Sequence, residues 1–224
     1  MKKSCLILLL ALSSCWSLAL PSRSRRKHVL DSDDTCEAEV AAKTKSCLTQ
    51  YYDFFGFNAT LPPYVEYRKA FETIFYGFGT QGPSIACNYV MFSFSCLGFL
   101  IKTEPCITPE QMAKMFGLGK ADALSYASDF LMRIDECSSA DQLISNFACL
   151  KDVYDKKQNE LAACSAPIDG GSPNCEAYDK YVTCLTKIYV SACGEGIRSL
   201  ACNIAEASIF FSVGDDECMQ DCPE

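Results

Sequence analysis

Histidine and tryptophan are almost missing from this chain. Its 224 residues hold one of each, His28 and Trp16, both within the first 28 positions. Serine and cysteine nucleophiles most often take their proton to a histidine. A histidine-based triad, a histidine-ligated catalytic metal and a histidine-dependent phospholipase therefore all lack their main group. No Cys-x-x-Cys pair occurs, which together with the scarce histidine argues against zinc. Asp215-Asp216-Glu217 with Asp221 lacks the ligand spacing and glycine of an EF-hand, so a solvated acidic tail is the reading there. Gly77-Phe78-Gly79 and Gly194-Glu195-Gly196 fall at expected helix ends, where glycine serves the backbone rather than a phosphate. The sequence assigns no catalytic residue, no cofactor and no metal ligand, and the expectation is a protein that is not an enzyme. Paired carboxylates are the one catalytic option left. Glu66, Glu72, Asp129, Asp135 and Glu206 are candidates, with nothing to rank them above solvated helix faces.

Apolar residues make up 49% of the chain, enough for a core, and the length suits one domain or two small ones. Lys2 and Lys3 precede the apolar run Cys5–Leu12, and Ser17-Leu18-Ala19 supplies small residues before a cut after Ala19. This is the layout of a secretory signal peptide over residues 1–19. Leu12-Ser13-Ser14-Cys15 also fits a lipoprotein attachment box, a rival reading set back by the cysteine density that follows. Residues 20–27 are a basic segment in which Arg23, Arg25 and Arg26 form a furin-type site, or else a solvated linker. Removing everything before His28 deletes Lys2, Lys3, Arg23, Arg25, Arg26 and Lys27 and no acid, which moves the formal charge from −8 to −14. Such a surface repels nucleic acid and anionic lipid.

Cysteine is abundant. Cys5 and Cys15 lie in the signal segment. Fourteen more follow: Cys36, Cys47, Cys87, Cys96, Cys106, Cys137, Cys149, Cys164, Cys175, Cys184, Cys193, Cys202, Cys218 and Cys222. An even number on a secretory route implies seven disulfides, with connectivity open. Cys87 and Cys96 are nine residues apart, as are Cys175, Cys184, Cys193 and Cys202 in succession. Nine residues of helix rise roughly 13 Å, whereas bonded cysteines need α-carbons within about 7 Å. If these segments are helical, Cys87–Cys96 and Cys175–Cys184 are excluded as bonds.

The remaining pattern is helical. Asp34 with Glu37 resembles a capping pair before a face of Cys36, Val40, Cys47, Tyr51 and Phe54, with a stop at Gly56. Asn58-Ala59-Thr60, in a turn before Pro62-Pro63, is a glycosylation acceptor at Asn58. A second helix is expected over 64–78, with Tyr64, Tyr67, Phe71, Ile74, Phe75 and Phe78 inward, broken by Gly82-Pro83. The uncharged stretch 85–101 is short for a membrane span and reads as a central buried helix or two buried strands. Thr108-Pro109-Glu110-Gln111 starts a helix that Gly117 ends. Another follows on Leu124, Ala127, Leu131, Ile134 and Cys137. Ser139 with Gln142 caps a long one running to Cys164. Residues 165–174 read as a loop, and helices on Tyr178–Ala192 and Ile197–Phe211 complete the chain. The expected architecture is an all-α, disulfide-cross-linked bundle of about six to eight helices. It forms a single domain over 28–224 with an acidic tail at 213–224. A likeness between Cys36-Glu37-Ala38…Cys47-Leu48-Thr49 and Cys175-Glu176-Ala177…Cys184-Leu185-Thr186 fits coincidence between amphipathic helices better than duplication.

The stretch Cys175-x8-Cys184-Leu185-x7-Cys193-Gly194-Glu195, with Cys36 and Cys47-Leu48 near the start, resembles the cysteine-rich secreted domain of unknown function nineteen, found mainly in nematodes. The likeness covers roughly 36–205. The apolar 85–101 stretch, Cys202 and the Cys218/Cys222 tail depart from it. It implies secretion and disulfide-linked helices, and no activity. Three functions compete: a non-catalytic extracellular module for an unknown extracellular protein; a carrier of a small apolar ligand such as a lipid between its helices; and, last, a carboxylate-dependent hydrolase. None calls for a nucleic acid, a cofactor or a stable membrane span.

Overall fold

A computed structural model describes residues 36–57, 60–98, 105–169, 174–213, 218 and 222. The signal segment, the processing residues Ala19, Arg23, Arg25 and Arg26, Asp34, the acceptor Asn58 and the acids at 215–217 and 221 lie outside the described residues. Among those described there are nine α-helices, short 3₁₀ stretches and no strand. They are α1 (Ala38–Phe54), α2 (Tyr64–Gly77), α3 (Gln81–Leu97), α4 (Pro109–Phe116), α5 (Lys120–Ser138), α6 (Ala140–Lys156), α7 (Gln158–Asp169), α8 (Cys175–Cys193) and α9 (Arg198–Val213), with the 3₁₀ turn at Glu195–Ile197 before α9. No described helix is long and apolar enough to cross a membrane.

The helix signals in the sequence work where they have a chemical basis. Thr108 Oγ1 accepts from the Gln111 backbone N–H, Pro109 occupies the first turn of α4, and Gly117 ends it at φ 68°. Ser139 and Glu37, by contrast, occupy cap positions without a side-chain cap bond. The cap of α8 is Asn174, whose side chain accepts from Ala177 N–H at 2.9 Å.

Four boundaries depart from the sequence reading. Gly82 and Pro83 do not separate elements; they form the first turn of α3. A first-turn N–H has no intrahelical partner, so proline costs nothing there. The 85–101 stretch is helix as far as Leu97 and ends at Gly98, φ 83°. It is buried along one stripe only (Ala86, Cys87, Val90, Ser93, Leu97), while Phe92 is 59% exposed. Phe78, expected inside, is 58% exposed just past the end of α2. Helix α7 continues to Asp169 through Pro167, so 165–169 are helix rather than loop.

The long helix expected from Ser139 to Cys164 is broken at Lys157, without a glycine or proline to mark it. The disulfides supply a reason. Cys149 bonds Cys193 and Cys164 bonds Cys184. Fifteen residues of straight helix would rise roughly 22 Å, against roughly 13 Å between the two anchor points on α8. One unbroken rod would overshoot the two anchor points by roughly 9 Å.

All fourteen cysteines from Cys36 onward are bonded in pairs: Cys36–Cys106, Cys47–Cys96, Cys87–Cys137, Cys149–Cys193, Cys164–Cys184, Cys175–Cys218 and Cys202–Cys222. No bond joins a residue up to Cys137 with one from Cys149 onward. The chain is thus two separately cross-linked halves. In the first, the cysteines pair first with fifth, second with fourth and third with sixth. Setting aside Cys202–Cys222, the second half pairs in the same order. Cys87-x8-Cys96-Leu97 and Cys175-x8-Cys184-Leu185 occupy matching places in this order, on α3 and α8. The pairing therefore aligns Cys36 and Cys47 with Cys149 and Cys164, not with Cys175 and Cys184.

An aromatic core fills the first half. Tyr51, Tyr52, Tyr67, Phe71, Tyr126 and Phe130 are all buried. Tyr52 meets Tyr67 and Tyr126 edge-on, with ring centroids 5.1 and 5.3 Å apart. Helix α5 is central: it packs on α3, α4 and, most extensively, α9 of the second half. A smaller core of Tyr178, Val182, Ala205 and Ile209 binds α8 to α9.

Candidate functional site

A cavity of about 580 Å³ lies between the two halves. The first half supplies α2 and α5; the second supplies α6, α7, α8 and α9. Helical spacing explains the lining. Tyr64, Arg68, Phe71 and Phe75 form one stripe of α2, and Ser125, Asp129, Met132 and Glu136 one stripe of α5. Opposite them stand Leu150 and Tyr154 of α6, Leu161 of α7, Leu185 and Tyr189 of α8, and Ile204 and Ser208 of α9. The walls mix apolar, hydroxyl-bearing and charged side chains.

The polar end of the cavity is a charged cluster on α5. Arg133 Nη2 donates to Asp129 Oδ1 at 3.0 Å, and its Nη1 donates to Glu136 Oε2 at 2.7 Å. The guanidinium carbon lies 3.9 Å from the Phe71 ring centroid, a cation–π contact. All three residues are buried. Asp129 is further tied by the hydroxyls of Tyr64 (2.9 Å to Oδ1) and Tyr67 (3.1 Å to Oδ2), and Tyr67 in turn bonds the Tyr51 hydroxyl at 2.9 Å. Arg133 Nε–H has no partner among the described residues. At the rim, Arg68 Nε donates to Glu72 at 2.9 Å.

Titration follows the geometry. Burial pushes the Glu136 carboxyl above its ordinary value, and the adjacent Arg133 charge offsets this only in part. Burial acts to lower Arg133, but Asp129 and Glu136 outweigh it and hold the guanidinium well above its usual range. Burial raises the Tyr64 and Tyr76 hydroxyls, and pushes Tyr189 up to about 12. The cavity therefore presents neutral phenols and one over-balanced guanidinium.

Of the acids singled out in the sequence, Glu72 and Asp129 reach this cavity, both ion-paired to arginine. Glu66 is exposed, and Asp135 and Glu206 are buried without lining it. Glu206 lies beside Cys202 and Cys222, but those sulfurs are bonded to each other and offer no thiolate to a metal. Arg133 and Glu136 were not legible as site residues, since charged side chains are expected at the surface. Their signal was the alignment of Asp129, Arg133 and Glu136 at i, i+4 and i+7 on one helix face.

Compared with known proteins, the chain matches no family model, no curated protein and no solved structure.

Proposed function

We propose that this is a secreted, non-catalytic carrier that holds a small amphipathic ligand between its two halves. The observation that carries the reading is the cavity of about 580 Å³, to which six helices contribute aromatic and aliphatic side chains alongside polar and charged ones. Seven disulfides and the lack of a membrane-crossing helix among the described residues fit export to an oxidising compartment. So does the resemblance of Cys175–Glu195 to a secreted cysteine-rich domain. A carboxylate-dependent hydrolase is less well supported, because each carboxylate in the cavity wall is ion-paired to an arginine. The reading as an extracellular interaction module rests on a different feature, the exposed rings of Phe78 and Phe92.

The carrier reading is tested on protein secreted from eukaryotic cells. Organic extraction and mass spectrometry should return a small apolar compound in near-stoichiometric amount. Ala162→Trp, which places an indole at the cavity wall on α7, should release it while the seven disulfides stay intact. A clean extract, together with no binding of an apolar fluorophore, would remove the proposal.

A further inference from the structure

The charges lining the cavity do not cancel. Three carboxylates, Glu72, Asp129 and Glu136, face two guanidiniums, Arg68 and Arg133, so the wall carries one net negative charge. An anionic head group would add a second uncompensated negative charge to a buried cluster and would have to be dehydrated to do so. The cluster nevertheless has unmet hydrogen-bonding capacity of both kinds. Both oxygens of Asp129 are occupied by Tyr64, Tyr67 and Arg133. Glu136 accepts one bond, from Arg133. The guanidinium keeps donor capacity, because Nη1 and Nη2 each carry a second N–H beyond the bonds to Glu136 and Asp129. An ammonium head could satisfy Glu136 but only donates, so it would set donor against donor at Arg133. A hydroxyl both accepts and donates. Resting on the carrier reading, we infer that the ligand is a neutral amphiphile whose hydroxyl sits at the Arg133–Glu136 edge, accepting from the guanidinium and donating to the carboxylate.

The cavity volume gives a scale for the rest of the molecule. At roughly 30 Å³ for each water-sized group, about 580 Å³ holds on the order of 20 non-hydrogen atoms. Leu150, Leu161, Leu185 and Ile204 of α6 to α9 contribute aliphatic surface to the wall. A single apolar chain or a compact ring system carrying one alcohol matches the volume.

The test compares 1-dodecanol, dodecanoate, dodecylamine and dodecane as competitors of an apolar fluorophore on the full oxidised chain at neutral pH. Dodecanol should bind at least tenfold more tightly than the carboxylate or the amine. Glu136→Leu, which keeps the Arg133–Asp129 pair, should weaken dodecanol about tenfold and leave dodecane unchanged. Dodecanoate or dodecylamine binding as tightly as dodecanol would overturn the hydroxyl assignment while leaving the carrier reading in place. So would an unaltered dodecanol affinity in Glu136→Leu. Failure of the fluorophore and all four competitors would instead bring down the carrier reading itself, and this inference with it.

Discussion

Arg133 is the residue on which the two halves of the site depend. Its side chain is buried, stacked on Phe71 and clamped between Asp129 and Glu136. Removing one member of such a cluster leaves the others charged and unpaired in a poorly hydrated place. Arg133→Met should therefore cost about 3–5 kcal/mol, read as a fall in the urea midpoint. Adding Asp129→Asn and Glu136→Gln to the same chain should recover much of the loss, because the stranded charges go with the arginine. A single variant as stable as the parent would show that the cluster is solvated and that the polar end of the cavity is not built as described. The aromatic core was legible only in part: Tyr52, Tyr126 and Phe130 are buried but were not on the faces read from the sequence, whereas those of α2 mostly were. Tyr67, Phe71 and Phe75 recur at helical intervals, and the structure buries all three. The charged cluster was not legible, since a sequence window does not show which acids and bases a third element will cover.

At the scale of elements, the tightest joint is the α2–α3 corner. Gly82 sits where a β-carbon would collide with the backbone carbonyl oxygens of Ile74 and Phe75. Gly82→Ala should destabilise the fold by about 1–3 kcal/mol, the usual range for overpacking, with a matching drop in Tm. An unchanged Tm would mean that the corner opens freely. Gly117, by contrast, is needed for its positive φ and has open space around it, so the two glycines serve different purposes. Seven of the eight expected helices correspond to single helices in the structure, because capping residues and apolar spacing are local signals. The eighth was split at Lys157 by two disulfide anchors that lie far along the chain. No local pattern carries that information, and the same holds for the connectivity itself. The nine-residue spacings could say which neighbours do not bond but not which distant cysteines do. The uncharged stretch after Gly82 misled in a related way. Its apolar surface on both sides suggested full burial, yet only one side is covered, and Phe92 faces outward.

For the whole molecule, the division of the disulfides matters more than their number. Each half is closed on itself, and only the peptide chain between Cys137 and Cys149 joins them covalently. A protease cut engineered at Ser139 should give two fragments that separate on a denaturing gel without reductant. A cut inside either half, at the break around Lys157 for example, should leave the apparent mass unchanged until the bonds are reduced. Fragments that stay linked after cutting at Ser139 would show a different pairing from the one described. Each Cys-to-Ser pair, such as Cys87 with Cys137, should cost about 2–5 kcal/mol and act mainly on its own half.

The seam between the halves is also the cavity, and this gives an occupant a second role. A guest there touches α2 and α5 on one side and α6 to α9 on the other. It acts as mortar between two bricks that no sulfur bridge connects. Filling the space should strengthen the joint by mass action, in proportion to the logarithm of guest concentration over Kd. Emptying it should loosen the two bricks from each other before either crumbles.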